Sequence, residues 1–503
     1  MTKYIQSLYI CLAAILLFGC KKSINENIRP SNDKADTELL TNLDGLTVAT
    51  NGNYALLVTG AAGDASYALS WYNLSELKGN NLLATSQPFP QSRSDSYTYV
   101  NSPTQGMTSS FWRCSYRIVF GANKVIDAIS DGQGAGFDQI KGENYFLRAM
   151  AYFNLLRVYG RPYYENNGNN LAVPLSLNSA VDKDYKPKRN TVKEVYASVI
   201  ADLEKAAALM TQTRGNYYAS KEAAWALLSR VYLYMGGTPS APQNEFNTKA
   251  VEYADKVIAA NKYSLLQGAA YSNSFAIDGK SNKELIFSFR HDDVNGNRIN
   301  EFLILRDVFG FPYQGEYAAS PDYMAILNQN AADLRKGFIT VENDKRIAGT
   351  DKSRNSVNKF NFQQVFPPGG FEFSSQTRSA TPYLRLAEVY LNKAEALAKL
   401  GNNSDALIAV NTIRTRANAP AWTTATMALA GKTMFEVVLN ERRLELAWEG
   451  HSSFDNFRNG LPVIRNYSDY SAASLTIEAT DKRVVYPLPP LEMQLNPNLE
   501  QNP

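Results

Sequence analysis

The sequence predicts a mainly α fold: a scaffold of paired amphipathic helices with long irregular inserted loops and a few short strands. Three observations point there. Arg148–Gly160 (RAMAYFNLLRVYG), Glu222–Gly236 (EAAWALLSRVYLYMG) and Arg385–Gly401 (RLAEVYLNKAEALAKLG) each carry apolar residues at the 3.6-residue period and stop at a glycine. Each is followed by a second amphipathic segment, Val192–Met210, Asn247–Ala260 and Ser404–Arg416 respectively. Between these blocks, residues 79–110 and 268–380 are rich in polar and aromatic residues and show few helical periods beyond Asp322–Asn328. Short strand-like runs fall at Glu284–Arg290, Phe302–Leu305 and Lys359–Val365.

The N-terminus sets the address. Lys3 gives a positive start, Leu8–Phe18 is an apolar run, and Gly19-Cys20 is followed at once by Lys21 and Lys22. A run this short is a signal-peptide core, since a spanning helix needs about 20 apolar residues. A cysteine directly after the cleavage point resembles a bacterial lipobox, so residues 1–19 are expected to leave and Cys20 to carry lipid. An ordinary signal peptide with an incidental cysteine is the competing reading. The glycine before Cys20 and the polar tether after it favour acylation. Residues 20–36 read as that flexible tether. Helical register starts near Thr37, opening an N-terminal helical region, 37–267, and a C-terminal region, 268–503, whose insert is 268–380. The helix–Gly–helix units, with alanines where two helices must approach closely, resemble tetratricopeptide repeats with loops inserted between them.

Composition excludes more than it selects. In 503 residues, 51 basic and 48 acidic side chains give a net charge of +3, which offers no support for a nucleic-acid partner. A mean hydropathy of −0.31 and the lack of a second long apolar run argue against an integral membrane protein. Once Cys11 leaves with the signal peptide and Cys20 is acylated, Cys114 stands alone, so no disulfide framework is expected. Two histidines, His291 and His451, leave little for a zinc site or a catalytic triad, and no P-loop, GxSxG or dinucleotide fingerprint is present. No metal or cofactor is expected.

Several further segments form recognisable motifs. They are Phe111-Trp112 with Tyr116, Ile118, Ala122-Asn123 and Ile126; residues 145–160 with Val173-Pro174-Leu175; Tyr383–Ala396; and Asn411–Ala417. The most specific are Asn440–Arg458 (NERRLELAWEGHSSFDNFR) and the ending from Tyr486 to Pro503. Together these segments resemble the SusD/RagB lipoproteins and run in that family's order from about residue 110 to the C-terminus. The resemblance implies a helical, tetratricopeptide-like, non-catalytic protein. It would be lipid-anchored at the cell surface on the outer membrane and would deliver captured oligosaccharide to a SusC-like TonB-dependent transporter. A peptide-capturing member of the same family is the alternative.

Glu441, Glu445 and Glu449 share one helix face, with Asp455 beyond. Paired carboxylates would suit a glycosidase. The neighbouring Arg442, Arg443 and Arg458 make a structural ion-pair network the stronger reading, with His451 hydrogen-bonded inside it. His291, beside Asp292 and Asp293, is expected to be exposed. Trp112, Trp225 and Trp448 sit at helical spacing among apolar neighbours and read as core. Sugars are held by stacking on rings and by amide, carboxylate and guanidinium groups. Two segments offer that mixture: Trp71, Tyr72, Asn80, Asn81, Phe89, Gln91, Arg93, Asp95, Tyr97 and Tyr99, then Phe309, Phe311, Tyr313, Gln314, Tyr317 and Tyr323. In the starch-binding relative the ligand contacts come from regions roughly corresponding to these two. The expected ligand contacts are therefore Trp71, Tyr72, Asn80, Asn81, Phe89, Arg93, Tyr97, Tyr99, Phe311, Tyr313 and Tyr317.

Overall fold

Helix starts follow side-chain caps. Thr191 and Glu194 form a reciprocal capping box at the start of the helix Val192–Leu209, and Thr433 and Glu436 do the same for Met434–Glu445. Ser220 caps Lys221–Met235 through the Ala223 N–H. The computed structural model describes residues 39–60, 65–85, 91–104, 106–180, 182, 184–275, 279–291, 307–308, 311–312, 317–344, 352–357, 359–360, 381–467 and 474–503. The expected signal peptide and tether, Cys20 among them, lie outside these residues.

In chain order the elements are α1 (Leu43–Ala55), α2 (Tyr67–Glu76), β1 (Leu82–Ala84), α3 (Gln91–Thr98), α4 (Gly106–Ala128), α5 (Ala135–Tyr159), α6 (Val192–Leu209), α7 (Lys221–Met235), β2 (Gly237–Thr238), β3 (Ala241–Pro242), α8 (Asn244–Ala259) and α9 (Gly268–Ser272). Then follow β4 (Leu285–Phe289), β5 (Asp307–Val308), β6 (Phe311–Pro312), β7 (Tyr317–Ala319), α10 (Pro321–Leu327), β8 (Ile339–Asp344), β9 (Lys352–Val357), β10 (Thr381–Arg385), α11 (Leu386–Lys399), α12 (Asn403–Arg416), α13 (Thr424–Leu429), α14 (Met434–Glu445), α15 (Ser452–Phe457), β11 (Val463–Arg465), β12 (Leu475–Ile477) and α16 (Pro490–Leu495). Contacts divide the chain into a short unit, Met1–Val48, and a main body, Ala49–Pro503. In the first, Asn42 accepts the Gly45 N–H at 2.9 Å.

In the main body α4 packs on α5, α5 on α6, α6 on α7, α7 on α8, α8 on α11, α11 on α12, and α14 closes against both α11 and α12. The three expected helix pairs, α5/α6, α7/α8 and α11/α12, thus stack in sequence order, and the fold is mainly α as the periodicity implied. The helix α5 is buried from Gln139 to Tyr159, which explains its apolar and small residues on every face. Among the glycine stops only Gly401 uses a left-handed conformation, with φ +77°; Gly160 and Gly236 keep negative φ.

Among the described residues the strands form two-stranded antiparallel pairs. The expected strand at 284–290 is β4, paired with β10. Phe302–Leu305 lies outside the described residues, and of Lys359–Val365 only Lys359 and Phe360 are described, as a turn. The hairpin β8–β9 has no counterpart in the sequence reading. Three further expectations need correction. Residues 79–110 are not all loop, because Gln91–Thr98 folds as α3 and α4 starts at Gly106. Trp71 and Tyr72 belong to α2, not to a loop. His291 is buried, its Nε2 2.8 Å from Thr381 Oγ1, because the β4–β10 pairing carries it against that strand. Trp112 and Trp448 are core residues; Trp225 is half-buried beneath Lys221.

Candidate functional site

The Asn440–Arg458 segment supplies a helix, a turn and a second helix, and its carboxylates face inward. Glu441 meets Arg335 at 2.6 Å and Arg414 at 3.0 Å. Glu445 meets Arg385 at 2.6 Å and also pairs with Arg416. Glu449 meets Arg385 at 2.7 Å and Lys359 at 2.5 Å. Glu284 bridges Arg385 and Arg416, and Asp455 bridges Arg442 and Arg458. Burial alone would push the Glu445 carboxyl up. Arg416, Arg385 and Arg335 outweigh it and hold Glu445 well below the usual carboxylate range. Glu449 is likewise depressed, burial being outweighed by Arg385 and Lys359. These groups stay charged and fully engaged, which is the reverse of a glycosidase acid, whose pKa must be raised. Burial, with Arg230 and Arg442 nearby, pushes the His451 ring well below its ordinary pKa, so it is neutral at pH 7. Its Nδ1 lies 3.4 Å from Arg442 Nη2.

The two segments expected to bind ligand meet in space. Strand β1 from the first pairs with β7 from the second, Ala84 opposite Tyr317, and the Tyr97 and Tyr317 rings lie 5.2 Å apart. Their rings, however, are structural. Trp71, Tyr72, Tyr97, Tyr99 and Tyr317 are each no more than 2% exposed. Trp71 stacks on Phe454 at 5.6 Å with Arg157 over its face at 4.1 Å. Tyr72 donates to the Pro382 carbonyl at 2.6 Å, and Tyr97 takes the Ala84 N–H at 3.2 Å under the Arg465 guanidinium. Tyr99, at φ +59°, donates to the Lys78 carbonyl. No sugar face can stack on these five rings in this conformation. Arg93 is also buried. Phe311 lies in β6; Phe89 and Tyr313 fall outside the described residues.

Asn80 is placed differently, half-buried, while Asn81 beside it is 1% exposed. They follow Gly79, whose position leaves no room for a side chain: a Cβ there would stand 2.6 Å from Ser452 Cβ. That close approach sets the two asparagines beside α14 and α15. Arg443 Nε donates to Asn81 Oδ1 at 2.7 Å and its Nη2 to the Asn80 carbonyl at 2.9 Å. Asn80 Nδ2 donates to the Ile464 carbonyl at 3.2 Å, and Ser320 Oγ donates to the Asn80 carbonyl at 2.7 Å. The result is a pocket of about 110 Å³ whose polar lining includes Asn80, Asn81, Asn440, Arg443, Ser452 and Asn456. Among the described residues the Asn440 amide and the Arg443 Nη1 have no hydrogen-bond partner. Asn440, Arg443, Ser452 and Asn456 escaped the sequence reading, which took their segment as structural. The signal was there: Asn440 and Arg443 stand three apart, Ser452 and Asn456 four apart, so each pair shares one helix face.

Two family models match the chain. One, described as SusD family, covers residues 309–503; the other, described as starch-binding associating with outer membrane, covers residues 54–233. The chain belongs to the SusD/RagB family. Among curated SusD relatives it is 26% identical to the SusD-like protein P38 of Formosa agariphila, over 89% of this chain and 90% of that protein. It is 25% identical to the starch-binding protein SusD of Bacteroides thetaiotaomicron, over 100% and 99% of the two chains. A SusD superfamily crystal structure from Bacteroides thetaiotaomicron superposes with a TM-score of 0.78 at 27% identity, covering 92% of this chain and 99% of that one. A crystal structure of a Bacteroides vulgatus protein named for sugar binding superposes with a TM-score of 0.74, also at 27% identity, covering 92% and 98%. Among the described residues no helix is long and apolar enough to cross a membrane.

Proposed function

We propose that this chain is a non-catalytic glycan-binding lipoprotein. In this reading it is held at the outer membrane through Cys20, exposed at the cell surface, and hands oligosaccharide to a SusC-like TonB-dependent transporter. The observation that carries the binding step is the pocket at Asn80, Asn81, Asn440 and Arg443. It has unspent donors and acceptors held rigid by Gly79 and the Arg443 bonds. Sugar hydroxyls pair with such groups, and a preformed site avoids the entropy of ordering them at binding. The relatives named for starch and sugar binding support the same ligand class.

The test is calorimetry on the lipid-free mature chain against panels of neutral and charged oligosaccharides and of peptides. Saccharide binding without release of product supports the reading. Binding of peptides alone would replace glycan capture by peptide capture, and hydrolysis would remove the claim that the chain only binds. The Cys20→Ala variant should be lost from the membrane fraction. Co-purification with a TonB-dependent barrel under mild detergent is the expected result for the hand-off, and isolation of the chain alone beside that barrel would exclude it.

A further inference from the structure

A second concavity lies across α4, away from the Asn80 pocket in its lining. It holds about 910 Å³, within the range of small-ligand sites. Trp112, Tyr116 and Phe120 from α4 form its floor, Pro174 and Tyr185–Pro187 one wall, and Glu492, Leu495, Asn496 and Leu499 the other. Phe120 is 42% exposed, Tyr185 45% and Leu495 61%, whereas Trp71, Tyr72, Tyr97, Tyr99 and Tyr317 are buried.

The groove is built, not incidental. Tyr116 donates to the Pro174 carbonyl at 2.7 Å and Tyr185 to the Leu175 carbonyl at 3.1 Å, which fixes both rings. Asn496 and Asn498 donate to the Pro187 and Lys186 carbonyls, each at 2.8 Å, and so tie one wall to the other. The carbonyls of Ser176, Pro174, Leu175, Lys186 and Pro187 are thereby occupied, Ser176 by Tyr152 at 2.9 Å and by Asn123. A peptide main chain entering here would find few free acceptors. An apolar partner would strip water from the exposed Arg117 and Lys186 without replacing it, which is unfavourable for charges left without a partner.

The charges fit one class better. Glu492 accepts a hydrogen bond from Trp112 and lies beside Arg113. Among the described residues Arg117 and Lys186 have no carboxylate partner, and both are exposed at the groove. Rings that stack on sugar faces therefore stand next to cations that await an anion. We propose that this groove is a second carbohydrate site, selective for oligosaccharides bearing carboxylate or sulfate groups.

The experiment uses the full mature lipid-free chain and a galacturonate hexasaccharide, with maltohexaose as the neutral control and a glutamate hexapeptide as the acidic one. The acidic saccharide is expected to bind at least tenfold more tightly than either control. Phe120→Ala and Tyr185→Ala should each weaken it by about three- to tenfold, the loss of one stacked ring. Arg117→Gln should weaken it and flatten its salt dependence, as expected for a partly exposed charge pair. Asn440→Ala, in the other pocket, should leave it unchanged. Helical content and unfolding midpoint should stay at the wild-type value in all four variants, since these side chains are exposed or half-exposed. Absence of acidic-saccharide binding, binding insensitive to the three groove variants, or equal binding of the glutamate peptide would each overturn the proposal. Loss of binding in Asn440→Ala alone would assign the ligand to the first pocket, so the two readings fail separately.

Discussion

One helix, α14, serves two regions of opposite character. Its inward face carries Glu441 and Glu445, buried and shared among Arg335, Arg385, Arg414 and Arg416. Its outward face carries Asn440 and Arg443, half-buried and with hydrogen-bonding capacity left over. The difference teaches where to look for function in a charged segment. Carboxylates with both oxygens engaged hold the fold together, and the modest amide one residue away has something left to offer a ligand. The network is also long-range: Glu284, Arg335, Lys359, Arg385, Arg416 and Glu449 come from six separate stretches of chain and converge on one point. Such a knot costs desolvation, but once made it penalises any arrangement that strands a charge.

The sharpest way to break the comparison is to remove the centre of the knot. Arg385→Met leaves Glu284, Glu445 and Glu449 with one cation fewer in a buried setting. The expected loss is about 3–5 kcal/mol of stability, the cost of breaking a buried pair. Urea unfolding measures it. A change under about 1 kcal/mol would mean that the buried charges contribute little and that the inward face is not what holds the segment.

A somewhat smaller effect, and one with a pH dependence, belongs to Glu76. Its carboxylate accepts the Trp448 N–H at 3.2 Å and the Gly450 N–H at 2.7 Å, bracing the turn after α14. Burial nevertheless pushes its pKa up to about 7 from an ordinary 4.5, the two N–H bonds opposing only in part. The folded state therefore keeps this proton over a range in which the unfolded chain has released it. Stability from this group is present below pH 4.5 and declines as pH rises towards 7, by about 3 kcal/mol in all. The knot has the opposite sign: Glu445 and Glu449, with depressed pKa values, lend stability that is lost as pH falls below the ordinary carboxylate range. Glu76→Gln keeps an acceptor for the turn and removes the titration. The variant should be flatter than wild type between pH 5 and 7 and more stable at pH 8. Parallel curves for the two proteins would show that Glu76 does not carry the effect.

The same contrast explains what was legible in the sequence. The helix pairs were, because α5, α7 and α11 write their burial into a 3.6-residue period and end at glycines. The structural role of Glu441–Glu449 was, because mixed charges at helical spacing imply pairing. The ligand rings were misplaced. Trp71 and Tyr72 lie in a helix capped by Ser66 and buried at every residue from Tyr67 to Glu76 except Leu69, yet its tyrosines, serines and asparagine read as loop chemistry. Segment QSRSDSYT is polar enough to hide α3, which buries Arg93, Asp95 and Tyr97 through contacts far along the chain, such as Tyr97 with Arg465. Composition sees a polar residue and cannot see the partner that neutralises it. The meeting of β1 with β7 was equally invisible, since it depends on strands of three residues each. Asn80 survived as a candidate because Gly79 and Arg443 hold it half-buried at the pocket, whereas Asn81 is 1% exposed with its Oδ1 taken by Arg443.

The smallest effect is the one that isolates the outward face. Asn440→Ala removes an amide that, among the described residues, bonds to nothing in the folded chain, so the unfolding midpoint should stay at the wild-type value. If the pocket meets sugar hydroxyls, the same change deletes one or two hydrogen bonds to ligand, about 1 kcal/mol, and calorimetry should show binding up to about tenfold weaker. Arg385→Met and Asn440→Ala then form a crossed pair: one moves stability, the other moves affinity. Affinity unchanged in Asn440→Ala, for a ligand known to bind the chain, would place that ligand elsewhere on the surface. A fall in stability in the same variant would erase the distinction between the two faces of α14 on which the assignment of this pocket rests.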